Sequence, residues 1–186
     1  MNQTPKQLNE RARSIRLAIF DVDGVLTDGR LYFMPDGTEF KSFNTLDGHG
    51  IKMLIASGVE AAIISGRKSP LVERRAAALG IKHLIQGRED KLTALSELRE
   101  IVPVEMHEIA FLGDDLPDLP VIRQVGLGMA VASADGFVRK HAHGITTATG
   151  RNRGDTGPEH GVLEYPPSQL YASHGQQLDP TRLLYR

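Results

Sequence analysis

The sequence predicts an α/β fold, a Rossmann-like parallel sheet with helices on both faces. Apolar runs such as "RLAIFD" (16–21) and "VEAAIIS" (59–65) do not alternate polar with apolar, so each strand is covered on both sides. The runs themselves alternate along the chain with segments of helical period, the order that a doubly covered parallel sheet requires. Acidic clusters follow two of the runs: "DVDG" begins at Asp21, and "GDDLPD" begins at Gly113. In such sheets the reactive site lies outside the C-terminal ends of the strands.

Residues 1–14 form a polar N-terminal lead with room for a helical turn. Residues 16–21 are a buried strand. Residues 30–43 read as an inserted β-hairpin, two strand-like runs around the turn signal "PDG". Residues 47–57 are helical, with Ile51, Leu54 and Ile55 on one face, and 59–65 are a second buried strand. The helix over 69–80 opens at Pro70 and closes at Gly80. A short strand "HLIQ" (83–86) precedes a helix over 89–102 that turns Leu92, Leu95 and Leu98 inward. Strands at 108–113, 127–131 and 144–148 alternate with helices at 119–125 and 134–142. Residues 15–148 thus make one domain. From Thr149 to Arg186 Gly, Pro and polar residues follow without period, predicting an irregular C-terminal tail.

Composition narrows the function. The chain has 186 residues, enough for one domain with a proper core. With 22 basic and 23 acidic residues its net charge is -1, which offers no basic surplus for nucleic acid or an anionic membrane. No cysteine is present, so thiol catalysis and thiolate metal sites are excluded. There is no secretory signal pattern and no apolar run of about 18 residues, so a cytoplasmic protein is expected.

The carboxylates carry the chemistry. Two acid clusters at two strand ends of one parallel sheet come close together and repel. A hard divalent cation resolves the conflict, and Mg²⁺ takes carboxylate, water and phosphate oxygens. If the chain stays extended through Asp21-Val-Asp23, the two side chains point to one side. One carboxylate can then attack phosphorus while the other lies near the leaving group. Ser65-Gly66-Arg67, at the end of the second strand, offers a hydroxyl and backbone N–H groups to phosphate oxygens. Lys91, near a helix start, can neutralise the phosphoryl group. By composition, an ordered pair of such acidic motifs, each after an apolar strand, is about a one-in-ten-thousand event. Ser65 and Lys91 alone would carry no weight. His141 and His143 have the spacing of a metal pair but no nearby partners, and are read as surface residues. His49 sits in a possible substrate loop.

"DVDGVLTDG", "IISGR", Lys91 and "GDDLPD" together resemble the four motifs of the haloacid dehalogenase superfamily of phosphatases, in that family's order. The resemblance implies Asp21 as nucleophile and Asp23 as general acid/base. It implies Mg²⁺ on Asp21, the Asp23 backbone carbonyl and Asp114. Ser65 and Lys91 would hold the phosphoryl group, and Asp118 would support Lys91 and the metal shell. The hairpin, "FNTLDGHGIK", "SGRKSPLVERR", "LGIKHLIQG" and "VGLGMAV" are similar to the 3-deoxy-D-manno-octulosonate 8-phosphate phosphatases, which act in lipopolysaccharide inner-core synthesis. That similarity implies substrate contacts from Asn44, Thr45, Leu46, Asp47, Gly48, Lys52, Arg67, Arg75 and Lys91, besides Asp23. Lys52 stands where that family has Arg, which weakens any bidentate clamp there. The tail departs from the family's Gly-rich segment and C-terminal helix.

The spacings leave no room for a cap domain. About 40 residues separate Gly24 from Ser65, and the hairpin and one helix use them. An open site admits water and offers few specificity contacts. The hairpin carries Leu31, Phe33, Phe40 and Phe43, and a lone hairpin is marginal in water. The resemblance implies a homotetramer assembled through it. Three functions stand beside one another. One is a phosphatase for 3-deoxy-D-manno-octulosonate 8-phosphate, and another is a phosphatase for a different sugar-acid phosphate of the nonulosonate 9-phosphate type. The third is a non-catalytic partner domain.

Overall fold

The computed structural model describes residues 3–147, so the expected tail at 149–186 lies outside the described residues. Helix α1 (Pro5–Ala12) begins at Thr4, whose side chain and that of Gln7 cap each other's backbone N–H. Its Leu8 and Ala12 are buried, so the polar lead contributes to the core. Strand β1 (Leu17–Phe20) is buried at every position. Strands β2 (Tyr32–Phe33) and β3 (Glu39–Phe40) form the antiparallel hairpin. It is shorter than its strand-like runs suggested, because the turn around Pro35 and Gly37 starts right after Phe33.

Helix α2 (Thr45–Ala56) follows, then β4 (Glu60–Ser65) and α3 (Pro70–Leu79). Ser69 caps α3, and Gly80, at φ +79°, ends it. After β5 (His83–Gln86), Asp90 caps helix α4 (Lys91–Ile101) by accepting the Thr93 N–H. The rest is β6 (Ile109–Gly113), a tight turn over Leu116–Asp118, α5 (Leu119–Ile122), β7 (Leu127–Ala130), α6 (Gly136–His141) and β8 (Gly144–Ile145). Helix α5 is a single turn rather than the expected 119–125. A Cβ on Gly128 would lie 2.0 Å from the Ile122 carbonyl oxygen, so the helix end rests directly on the β7 backbone.

The six main strands are parallel, in the order β5-β4-β1-β6-β7-β8. Ile19 lies between Ala62 of β4 and Phe111 of β6, and Phe111 is among the largest fully buried side chains. From β1 the chain winds outward to β4 and β5, then returns to β6 on the other side. That reversal opens a crevice beyond the ends of β1 and β6.

One histidine expectation changes. His143 is half-buried, and its Nδ1 accepts the Gly128 N–H at 2.9 Å, so it is a bonded structural residue. His141 is exposed, as expected.

Candidate active site

Strand β1 delivers Asp21 to the crevice. Its N–H donates to the Leu112 carbonyl of β6 at 3.0 Å, extending the sheet by one residue, and the residue is buried. The chain then leaves the extended conformation. The N–H groups of Val25, Leu26 and Thr27 all donate to the Val22 carbonyl, and the Thr27 hydroxyl accepts from Gly24 and Gly29. Asp23 therefore lies in the turn that follows the strand and not in the strand itself. The turn sends Asp21 and Asp23 to different cations.

Asp21 Oδ1 pairs with Lys91 Nζ at 2.8 Å, and the same ammonium reaches Asp118 Oδ1 at 2.5 Å. Lys91 is the first residue of α4 and is buried. Burial works against its charge, but Asp21 and Asp118 outweigh this and hold Lys91 above the usual lysine range. Asp118 is 1 % exposed, and its other oxygen accepts the N–H groups of Asp114 (2.9 Å) and Asp115 (3.1 Å). Both Asp118 oxygens are thus engaged. It fixes the loop and the lysine.

Asp114, half-buried just past β6, completes the group. One carboxylate oxygen from each of Asp21, Asp114 and Asp118 lies within 4.8 Å of the others. Burial, and then the Asp118 charge, push Asp21 up to about 6 against the pull of Lys91. Burial, then Asp21 and Asp118, push Asp114 up to about 7. Carboxylates crowded this way suit a divalent cation, and with both Asp118 oxygens committed elsewhere its carboxylate ligands would come from Asp21 and Asp114. Two carboxylates with room for water and phosphate oxygens match what Mg²⁺ accepts. Gly24 makes that approach possible. A Cβ there would lie 2.0 Å from Asp114 Oδ2, and φ at Gly24 is +94°.

Asp23 faces the hairpin. Its Oδ1 accepts from Lys41 Nζ, and its Oδ2 lies 3.9 Å from Arg67 Nε. Glu39 joins both cations, at 3.2 Å from Lys41 Nζ and 3.2 Å from Arg67 Nη2. Burial opposes its charge, but Lys41 and Arg67 overcome this and lower the Glu39 pKa. Sequence reasoning missed Lys41 and Glu39, since charges on a short hairpin look like a solvated face. Their i, i+2 spacing, which puts both side chains on one side of a strand, was the available signal.

Ser65 is buried at the end of β4, and its Oγ accepts the Arg67 N–H at 3.3 Å. The structure therefore brings together Asp21, Asp23, Ser65, Arg67, Lys91, Asp114 and Asp118 at the strand ends. The remaining sugar-contact candidates are spread out. Asn44 caps α2, Thr45 and Leu46 are exposed in its first turn, and Lys52 is exposed further along the helix. Asp47 is buried beside an apolar cavity lined by Ala18, Phe20, Ile51 and Leu112. Arg75 is engaged inside the protein. Its Nη2 donates to the Asn44 carbonyl at 2.8 Å, and the guanidinium lies so close to Gly48 that a Cβ there would be 2.3 Å from Nη2.

A buried lysine between two aspartates, a carboxylate group at a strand switch point and a serine at the neighbouring strand end define a phosphoryl-transfer hydrolase of the haloacid dehalogenase type. Residues 83–154 match the haloacid dehalogenase-like hydrolase family. The chain is 48% identical over 141 residues to the 3-deoxy-D-manno-octulosonate 8-phosphate phosphatase of Yersinia pestis, covering 76% of this chain and 75% of that one. Among solved structures, a probable YrbI-family phosphatase from Pseudomonas syringae shares 68% identity with a TM-score of 0.77, over 78% of this chain and 82% of that one. The Moraxella catarrhalis 3-deoxy-D-manno-octulosonate 8-phosphate phosphatase, solved with magnesium, phosphate and the sugar acid, shares 44% identity with a TM-score of 0.76, over 78% and 83% of the two chains. The chain belongs to the 3-deoxy-D-manno-octulosonate 8-phosphate phosphatase family.

Proposed function

We propose that this protein hydrolyses 3-deoxy-D-manno-octulosonate 8-phosphate to the free sugar acid and phosphate, with Mg²⁺, in lipopolysaccharide inner-core synthesis. The observation that carries the chemistry is Lys91 clamped between Asp21 and Asp118 beside the free Asp114 carboxylate. Asp21, Asp114 and the Asp23 backbone carbonyl hold the metal, which when bound polarises the phosphoryl oxygens and offsets carboxylate repulsion. A carboxylate oxygen of Asp21 forms a bond to phosphorus as the bond to the sugar oxygen breaks, and Asp23 gives that oxygen a proton. Asp23 then takes a proton from water as the water attacks the aspartyl-phosphate and Asp21 leaves. Lys91 and the Ser65 hydroxyl hold the phosphoryl oxygens throughout, so catalysis rests on positioning and charge.

Arg67, half-exposed with its outer nitrogen on Glu39, turns toward the sugar acid when substrate binds, whereas Arg75, through the Asn44 carbonyl, sets the position of the α2 N-terminus. Asn44 through Gly48 and Lys52 complete the sugar-facing side in this reading. The protein is a cytoplasmic homotetramer joined through the hairpin. Leu31, Phe33, Met34 and Phe40 are exposed there, and among the described residues no helix is long and apolar enough to cross a membrane. The test is phosphate release with Mg²⁺ from the eight-carbon substrate, a nine-carbon sugar-acid phosphate and hexose phosphates. At least about tenfold preference in kcat/KM for the eight-carbon compound, roughly 1.4 kcal/mol, is expected, and a smaller preference removes the substrate assignment.

A further inference from the structure

We propose that Lys41 is a positioning residue for the proton transfer to the leaving group, a role that rests on Asp23 acting as the general acid. Asp23 lies in a turn rather than a strand, so no sheet hydrogen bonds hold its backbone, and its side chain depends on its own contacts. What holds it comes from the hairpin. Lys41 Nζ donates to Asp23 Oδ1, and its side chain is only 2% exposed, against 45% for Arg67. The two cations on Asp23 therefore differ in kind. Lys41 is enclosed and anchored at 3.2 Å by Glu39. Arg67 sits at the rim, 3.9 Å from Asp23 Oδ2, with its outer nitrogen on Glu39.

This difference assigns the two oxygens of Asp23. Oδ1 stays on Lys41 through the reaction. Oδ2 is exchangeable, because Arg67 is exposed enough to turn to an anionic substrate and leave it. Oδ2 is then the atom that carries the proton and passes it to the sugar oxygen as the phosphorus–oxygen bond breaks. Without Lys41 the carboxylate has no fixed point, and its two oxygens become equivalent rotors in an open turn. A loosely held acid loses much of the advantage of orientation, where misplacement by about 1 Å costs on the order of 100-fold.

Leaving-group dependence separates this role from a merely structural one. The sugar alkoxide of 3-deoxy-D-manno-octulosonate 8-phosphate needs a proton to depart, whereas p-nitrophenolate does not. For both substrates kcat/KM reports only the steps up to loss of the leaving group. Lys41→Met should lower kcat/KM on the sugar phosphate by about 30-fold or more, and on p-nitrophenyl phosphate by less than about threefold. Lys41→Arg should recover much of the lost activity on the sugar phosphate. Asp23→Asn is the reference. If it does not show the same selective loss, the general-acid reading of Asp23 falls. If it does, and Lys41→Met loses both activities equally or neither, the Lys41 proposal is overturned. Should Lys41→Met fail to fold, Lys41→Gln carries the same comparison.

Discussion

Gly24 gives the sharpest test of the geometry, because alanine there meets two separate penalties. The first is conformational. At φ +94° an added Cβ costs roughly 1–2 kcal/mol in the folded state. The second is a collision, since the Cβ would lie 2.0 Å from Asp114 Oδ2 and 2.6 Å from Cγ. Relief requires the carboxylate to retreat by roughly 1 Å or more, and a displacement of that size costs on the order of 100-fold in rate. Gly80 isolates the first penalty. It has φ +79° with nothing within 4 Å of its would-be Cβ, and it lies at the end of α3. Gly80→Ala should therefore lower the melting temperature by a few degrees and leave kcat/KM unchanged. Gly24→Ala should show at least that loss of stability, a kcat/KM on the sugar phosphate reduced about 100-fold, and a higher Mg²⁺ requirement. Melting curves and steady-state kinetics over a Mg²⁺ series read all three. If Gly24→Ala keeps activity within about threefold of wild type, the approach of Asp114 to this loop does not matter to catalysis and the reasoning fails.

Asp21→Asn should abolish turnover with the fold intact by circular dichroism, and more than about a thousandth of wild-type rate without deamidation would remove the nucleophile assignment. Chelator-stripped protein should be inactive and should not bind inorganic phosphate by calorimetry, with both properties returning on adding Mg²⁺; full activity in chelator would sink the metal site. Light scattering should give a tetramer for the wild type and smaller species for the double substitution Phe33→Ser, Phe40→Ser, and a monomeric wild type would refute assembly through the hairpin. Burial first, and then Arg11, hold the His143 pKa below the ordinary value of 6.5. The unfolded chain therefore binds the extra proton first, and the stability that His143 contributes is present above about pH 6.5 and lost as pH falls below it. Melting temperatures at pH 7.5 and 5.5 should differ less for His143→Asn than for wild type, and equal differences would contradict the assignment.

The readable part of the site was the part written locally. A buried run ending in Asp21, and another ending before Asp114, placed two acids at strand ends, and strand order brought them together. Asp118, four residues beyond Asp114, was also within reach of sequence reasoning. The residue spacing itself records no pairings; the support of Lys91 by Asp118 came from the family resemblance alone, and that of Asp23 by Lys41 was not read. Lys91 and Asp118 stand 27 positions apart, and Lys41 and Asp23 stand 18 apart. Only the packing of α4 and of the hairpin brings them into contact. Arg75 is similar. A basic residue on a helix looks like a ligand for an anion, yet its contact is a backbone carbonyl across two helices. The length of α5 depended on the close approach of Gly128 to Ile122, which no helical period records.

The pattern of charges explains why the site calls for a cation. Five carboxylates, from Asp21, Asp23, Glu39, Asp114 and Asp118, are met by three cations, Lys41, Arg67 and Lys91. Fully ionised, this group carries two excess negative charges, which would repel a phosphate monoester. The excess is concentrated at Asp114, which forms no ion pair with a basic side chain among the described residues and is pushed up to about 7 by burial and by its acidic neighbours. One proton there removes only half the surplus. A divalent ion removes all of it at the place where it is concentrated, next to Asp21. The three cations stand on either side of that point, Lys91 held on Asp21, Lys41 held on Asp23, and Arg67 at the rim beside it. The phosphoryl group then meets neutralised charge at its oxygens and a carboxylate at phosphorus, which is the asymmetry that in-line attack requires.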